Sequence, residues 1–558
     1  MDLVNNYLAV YPDLEEHLLW DSEPVPFFLS PAYVLPRSER YSIIDSPQKP
    51  GTTVVRAYKA VCIWGEPCFD INLNNELLAI QNSPSYVADV YGASNRWMRD
   101  NKGNTFRVSI ATKLFMLGTI KFSSLDPFGM GVEMEGGKPG WNDAMNGLPG
   151  ILGSGMSETY EMYEILKFVS RVVQTHKRGL AVPTEFATLL SHLRTALSVF
   201  AHSDKSQQAE FVYWNASNNA REAYRAETRV RFSGETVKLS PADVTSLLAA
   251  MQAKTQAGIA KALATNNGYS PTYFYYECTD FTIMTPAVAT EPPTAGVVVP
   301  NSFVLHTLPL FLEGPMRHLK TLSTEDARRD VYQRTHDSVL YDTALQMYTV
   351  SASLASIGPD VGRMVAFSPG WLENESVWLH MSYKFYLELL RGGLYEEFFM
   401  EISTGLVPFM DPSVYGRSPL EATSFIVSSA FPDSKLHGQG FLARLSGSTA
   451  EFLSMWSLMT MGPAPFSLSH TGELQLSFKP VIPGWMFPED GKLTFTFLGA
   501  VSVTLSNPNR VDSWKAQPVS GELVYTDGTV FTSPDGTFGK AQALDVRALK
   551  VQSILIQY

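Results

Sequence analysis

Cysteine is scarce: Cys62, Cys68 and Cys278 are the only three in 558 residues. Their number is odd and none forms a CxxC pair. That excludes a disulfide framework and a zinc-ligand pattern, and it suits a reducing compartment. Charge is also sparse, at 18% of residues, and tilts acidic, with 43 Lys and Arg against 55 Asp and Glu for a formal net charge of -12. No basic run interrupts this balance, so a nucleic-acid partner is not expected. No apolar run approaches the roughly 20 residues that cross a bilayer. The first residues, Met1–Asp21, lack both the basic and the apolar regions of a signal peptide. The expectation is therefore a cytoplasmic protein without a membrane partner. No P-loop, GxGxxG, HExxH or GxSxG occurs, which leaves NTPases, dinucleotide enzymes, zincins and serine hydrolases without support. No metal site or organic cofactor is expected.

Aromatic residues are abundant, at 12% of the chain, with 10 Trp, 24 Tyr and 32 Phe. Most must be core, but the surplus suits a ligand with flat apolar faces, such as a sugar ring. At roughly 150 residues per domain the length admits three to four domains, or one large domain and a satellite. Residues 1–110 read as an irregular, Pro-rich mixed segment, and 111–155 as Gly- and Pro-rich. A helical body then extends to about residue 465. Met162, Ile165, Leu166, Val169, Val172 and Val173 form one apolar stripe, with Ser157 as its expected N-cap. Further helices are expected after Pro183, over 206–228, after the capping box Ser240-Pro-Ala-Asp243, and at about 323–350, 376–399 and 448–461. After 465 the period becomes two, in Leu474/Leu476/Phe478, Leu493/Phe495/Phe497 and Val501/Val503/Leu505. Gly, Pro, Asn and Asp clusters separate these runs, and residues 466–558 read as a β-sandwich.

Three stretches could carry chemistry. The first runs from Glu133 to Gly155 and contains seven glycines between 136 and 155. Trp141, Met145, Leu148 and Ile151 should pack it. Trp141-Asn-Asp143 puts an aromatic face, an amide and a carboxylate side by side, as a sugar site needs; a buried Trp in a Gly-rich turn is the plain alternative. The second is Ser446-Gly-Ser-Thr-Ala-Glu451, where a Ser448/Glu451 capping box would start a helix. Its free N–H groups and dipole would favour an anion, or it is an ordinary capped helix. The third is Trp371 to His380, in which Glu373 and His380 would share a face if the helix were continuous; a lone His on an apolar helix is more often a core residue.

Together these stretches resemble the cellobiose phosphorylase-like inverting glycoside phosphorylases, the family-94 type. Lys138-Pro-Gly-Trp-Asn-Asp-Ala-Met-Asn146 is similar to the family's D-W-N-D-x-x-N segment. The resemblance implies Asp143 as general acid, with Trp141 and Asn142 in the sugar subsite. Glu373-Asn374 and His380 resemble K-E-N-G-G-x-x-x-H, implying a sugar contact from Glu373 and a phosphate contact from His380; the family lysine is Leu372 here. Ser446-Gly447 is similar to a T-G pair that binds phosphate. Pro480-Val-Ile-Pro-Gly-Trp485 is similar to the family's P-x-I-P-x-x-W strand region.

The fold so implied is mainly α, an (α/α)6 toroid-type catalytic barrel over 111–465, entered by 1–110 and followed by the C-terminal β-sandwich. The resemblance covers roughly 85–510. The family's N-terminal β-sandwich and its early Arg- and Asp-bearing motif have no counterpart, Trp97-Met-Arg-Asp100 being a poor substitute. The barrel is therefore expected to be incomplete, with a homodimer or a missing N-terminal half as the expected partner. The implied reaction is inverting phosphorolysis of a β-glucoside or β-glucan, with inorganic phosphate as co-substrate. For the acid role, burial against Trp141 and nearby carboxylates should raise the Asp143 pKa. A hydrolase on the same scaffold would need a base, with Glu133, Glu135, Glu373 and Glu375 as candidates. A chain inactive alone, binding glycan or requiring a second polypeptide, is the non-enzyme alternative.

Overall fold

The computed structural model describes residues 2–27, 41–45, 53–57, 75, 79, 97–135, 138–229, 231–284, 296–443 and 446–558. Cys62 and Cys68 lie outside the described residues. The chain divides into two compact units. The first comprises Leu19–Trp378 with Phe425–Phe441; the second comprises Met1–Leu18, Leu379–Ser424 and Leu442–Tyr558. These limits do not coincide with the expected boundaries at 110 and 465.

The first unit combines helices with a six-stranded sheet. Its helices include α1 (Ile110–Phe122), α2 (Met156–His176), α3 (Thr184–Ala201), α4 (Gln207–Glu227), α5 (Pro241–Thr265), α6 (Glu313–Thr321) and α7 (Glu325–His336). Apolar spacing selects the buried face of each. On α2, Met162, Leu166, Val169, Val172 and Val173 are buried, and α2 packs against α1 and α5. Capping sets several starts: Ser206 Oγ accepts from Ala209 N at 3.3 Å and Ser240 Oγ from Asp243 N at 3.1 Å, each cap contributing about 1 kcal/mol. Helix α2 begins one residue before the expected cap, Ser157. Gly155 is still in an extended strand and Met156 N donates to Thr272 O at 2.8 Å, so sheet pairing decides where the helix begins.

The sheet contains β1 (Tyr41–Asp45), β2 (Thr53–Ala57), β3 (Val132–Glu133), β4 (Ser154–Gly155), β5 (Tyr273–Met284) and β6 (Gly296–Thr307), in the order β2-β1-β6-β5-β4-β3. The antiparallel β5–β6 pair and the short strand β7 (Val377–Trp378) add sheet elements to the mainly helical body expected over 111–465. Phe274, Tyr276 and Cys278 are buried while Tyr275, Glu277 and Thr279 are not, a period of two. Phe274 and Tyr276 share a core with Phe128, Met130, Met156 and Tyr160. The buried Asp126 carboxylate fastens this corner. It accepts from the backbone N–H groups of Phe128 (3.0 Å), Met130 (3.0 Å) and Gly131 (2.6 Å), from Ser154 Oγ (2.8 Å) and from the Tyr276 hydroxyl.

In the second unit, α8 (Leu379–Arg391) and α9 (Tyr395–Gly405) replace the single helix expected over 376–399. Gly392-Gly393 breaks it, with Gly393 at φ +84°. Helix α8 also packs against α10 (Ser446–Met461). The C-terminal strands β8 (Lys492–Phe497), β9 (Val501–Ser506), β10 (Ser520–Tyr525), β11 (Val530–Ser533) and β12 (Val551–Gln557) form one mixed sheet in the order β8-β9-β12-β10-β11, with β9 and β12 parallel.

This arrangement corrects the expected sandwich. Val501, Val503, Leu505, Leu523, Ile554 and Ile556 share one core with α11 (Lys540–Arg547) and the hairpin Phe466–Leu468/Leu474–Leu476, so a helix and a hairpin replace a second full sheet. Helix α9 belongs to this unit through its aromatic rings: Phe399 stacks on Trp514 with centroids 5.4 Å apart, and Tyr395 lies 5.6 Å from the same ring. That packing moves the unit limit well before residue 465. The chain thus has a helical body with sheet elements and a C-terminal sheet region, and no closed barrel forms among the described residues. None of the described helices is long and apolar enough to cross a membrane.

Candidate functional site

The Gly-rich stretch is packed as expected. Ala144, Met145, Leu148 and Ile151 lie in a core with Tyr273, Phe311, Val361 and Met364. Gly147 allows the closest approach, since a Cβ there would meet the Asp360 carbonyl oxygen at 2.0 Å. Gly147 N donates to Val361 O at 3.1 Å and Arg363 N to Asn146 Oδ1 at 3.1 Å, so residues 144–147 are fixed to 360–363.

Asn142, expected to read sugar hydroxyls, is buried and holds the turn. Its Oδ1 accepts from Ala144 N at 3.1 Å and its Nδ2 lies 3.4 Å from Met364 Sδ. The next residue, Asp143, opens a 3-10 turn and projects into solvent. The expected burial of Asp143 is therefore not found. Trp141 is half-buried and meets Trp378 edge-on, with centroids 5.8 Å apart at 84°.

Glu373 occupies the environment expected for Asp143. Burial raises its carboxyl above the ordinary range, and the Asp143 charge pushes the same way against the opposing Arg363. The two carboxylates therefore sense one another within the first unit. The turn carrying Glu373 is strained on both sides, with Leu372 at φ +50° and Glu375 at φ +57°. Trp378 Nε1 donates to Leu372 O at 2.7 Å, Asn374 Nδ2 to Phe367 O at 2.8 Å, and Gly370 N to Asn374 O at 2.9 Å. Val377–Trp378 is a strand paired with Phe425–Ile426, not the start of a helix. Glu373 and His380 consequently share no helix face.

The other carboxylates are differently placed. Glu135 is largely buried, yet Arg225 and Lys138 hold its carboxyl well below the usual range, so it is a poor base. Glu133 accepts from Trp214 Nε1 and faces Arg221 at 3.7 Å. Glu375 is half-buried and raised by that burial. Asp143 is among the charges that shift Glu373 and is not among those that shift Glu135 or Glu375. Asp100 caps its own loop, accepting from Asn104 N at 2.8 Å and Lys102 N at 2.9 Å.

The expected phosphate residues lie in the second unit. His380 is buried in the first turn of α8, and burial pushes its imidazole down to about 3, so it is neutral near pH 7. Ser446 opens α10, and its side chain lies outside the described residues. A Cβ on Gly447 would come 3.2 Å from His380 Cβ, so the first turn of α10 packs directly on this histidine. The helix starts ahead of the expected cap: Ser448 is buried inside the first turn.

Sequence reasoning missed Trp378 and Arg363. The signal for Trp378 was its nearness in sequence to Glu373, whereas nothing local pointed to Arg363.

No family model matches the chain, and no curated protein matches it. Among solved structures it is similar to an uncharacterized conserved protein from Thermus thermophilus, at 10% identity over 69% of this chain and 98% of that one, with a TM-score of 0.23. It is likewise similar to a GH63 mannosylglycerate hydrolase from the same organism in complex with glucose, at 10% identity over 69% of this chain and 99% of that one, with a TM-score of 0.23. At that TM-score neither likeness assigns a fold or an activity to this chain.

Proposed function

We propose that the protein cleaves a β-linked glucoside or oligoglucan by inverting phosphorolysis, on an (α/α)6-type scaffold. Asp143 donates its proton to the glycosidic oxygen as the C1–O bond breaks. A phosphate oxygen attacks C1 from the opposite face, giving an α-sugar 1-phosphate and leaving Asp143 as a carboxylate to be reprotonated. Trp141 and Trp378 offer ring faces to the sugar, and Glu373 accepts or donates a hydrogen bond to a hydroxyl. The resemblance to the phosphorylases assigns phosphate to His380, a neutral donor, and to Ser446 and Gly447 at the first turn of α10, all within the second unit.

The observation that supports this reading is the packing of Gly447 against His380, which puts the N-terminal turn of α10 beside a histidine within the second unit. Phosphate is already an anion, so it needs donors where a hydrolase needs a second carboxylate. Phosphorolysis that disappears in Asp143→Asn supports the assignment; unchanged turnover in that variant overturns it.

Hydrolysis is the second reading, favoured by the coupling of Asp143 to Glu373. An inverting hydrolase would use one carboxyl as acid and the other to activate water. Release of free sugar at equal rates with and without phosphate would select it.

A further inference from the structure

The second unit carries exposed aromatic rings that the cleavage reaction does not use. Trp485 is 57% exposed and Phe409 is 41% exposed, with centroids 6.1 Å apart. Trp485 stands on the turn Gly484–Met486, which is locked from below. Gly484 N donates to Asp512 Oδ1 at 3.0 Å. Ile482 N donates to Ser513 Oγ at 2.8 Å, and Ser513 N donates back to Ile482 O at 2.9 Å. Gly484 is required there, because a Cβ would meet Arg510 O at 1.9 Å. Phe399 supports the indole edge-on at 6.4 Å and itself stacks on Trp514.

Charged groups border this cluster. Lys515 Nζ lies 3.1 Å from both Glu396 and Asp512 and sits over the Trp514 ring at 5.5 Å. Glu396 and Lys515 remain more than half exposed.

We propose that the Trp485 indole is a carbohydrate-binding platform, with Phe409 as a side wall at 69° to it, that takes a pyranose ring of a glycan chain. A pyranose presents an apolar C–H face that suits a flat, preorganised indole, and equatorial hydroxyls that suit carboxylates and an ammonium at the rim. Size supports this occupant over a protein. The exposed parts of the two rings amount to on the order of 200 Å², whereas a stable protein interface covers about 800 Å² on each side. The turn that carries Trp485 is anchored before it by the bonds of Ile482 and Gly484 and after it by Phe487, buried in the core, so binding orders little and a single stacked ring can be held.

The test is calorimetric titration of cellohexaose and laminarihexaose into the full chain carrying Asp143→Asn, in phosphate-free buffer. Phosphate-free buffer and the loss of Asp143 stop the proposed phosphorolysis, and the Trp485-dependent part of the binding is read whether or not that reaction is the right one. The platform predicts saturable binding that weakens about tenfold when Trp485→Ala is added. Phe409→Ala should weaken it less and Trp485→Phe should retain part of it; both keep the test open if Trp485→Ala fails to fold. Affinities unchanged by Trp485→Ala and by Phe409→Ala would overturn the proposal. So would a dimer that Trp485→Ala converts to monomer in sedimentation while glycan affinity stays the same.

Discussion

The segment carrying Asp143 and the turn carrying Glu373 are both irregular, but different forces hold them. The first is clamped at its flanks. Arg225 and Lys138 grip Glu135, and Gly147 lies against the Asp360 backbone, while Asp143 itself stays in solvent. The second is strained and held by burial and hydrogen bonds: left-handed Leu372 and Glu375 flank a half-buried Glu373, and hydrogen bonds from Trp378 and Asn374 offset a strain of order 1–3 kcal/mol per residue. The two carboxyls thereby differ, Asp143 facing water and Glu373 pushed toward its protonated form. Burial favours the neutral Glu373 carboxyl, which can donate a hydrogen bond to a ligand hydroxyl.

That contrast can be broken by mutation. Asp143→Asn should lower turnover by about 10³-fold with the melting temperature unchanged, because the side chain is exposed and the change touches only proton donation. Gly147→Ala should cost several kcal/mol, since its Cβ would overlap the Asp360 carbonyl; denaturant unfolding measures it. Arg225→Ala should cost about 1–2 kcal/mol by leaving Glu135 partly unpaired. Because the folded Glu135 pKa is depressed, that stabilisation is present above its unfolded value near 4.5 and is lost as pH falls below it.

Glu373→Gln should raise KM for the sugar about tenfold with a smaller fall in kcat, as loss of a positioning contact does. A collapse of kcat equal to that of Asp143→Asn would instead make the pair an acid and a base. Its raised pKa has the opposite linkage to that of Glu135. Protonated Glu373 is favoured at low pH, and the associated stability is lost as pH rises through the folded value.

A separate pH effect concerns two buried histidines. Burial pushes His318 down to about 4 and His380 to about 3, from 6.5. Both depressed values mean that stability declines as pH falls below about 6.5, where the unfolded chain binds protons that the folded chain does not. Urea midpoints between pH 7 and about 5 should show this slope, and His318→Gln should flatten part of it.

Much of the helical framework was legible. The stripe of α2 and the caps Ser206 and Ser240 are local signals that tertiary structure leaves intact. The β8 and β9 periodicity survives as well, with buried Val501, Val503 and Leu505 on one face. The failures lie where distant partners decide. Tyr273–Met284 has the aromatic and β-branched content of a strand, but its partner begins at Gly296, beyond a short-range hairpin signal. The start of α2 is set by Thr272, and the end of α8 by Gly392-Gly393 inside an otherwise apolar run.

The site was legible as residue types more than as environments. Asp143, Trp141 and Glu373 stand on neighbouring irregular segments of one unit, but their placement depends on residues 361–363, bonded to 146–147, and on 425–426, paired with Val377–Trp378, far away in sequence. Asn142 reads as a polar ligand group in any window and is buried only because Met364 covers it.

The most direct test follows the products of a β-linked gluco-oligosaccharide by proton and phosphorus NMR, with and without inorganic phosphate. The account predicts α-sugar 1-phosphate formed only when phosphate is present, and none from Asp143→Asn. Free sugar released at the same rate without phosphate, or a β-configured sugar 1-phosphate, would contradict it.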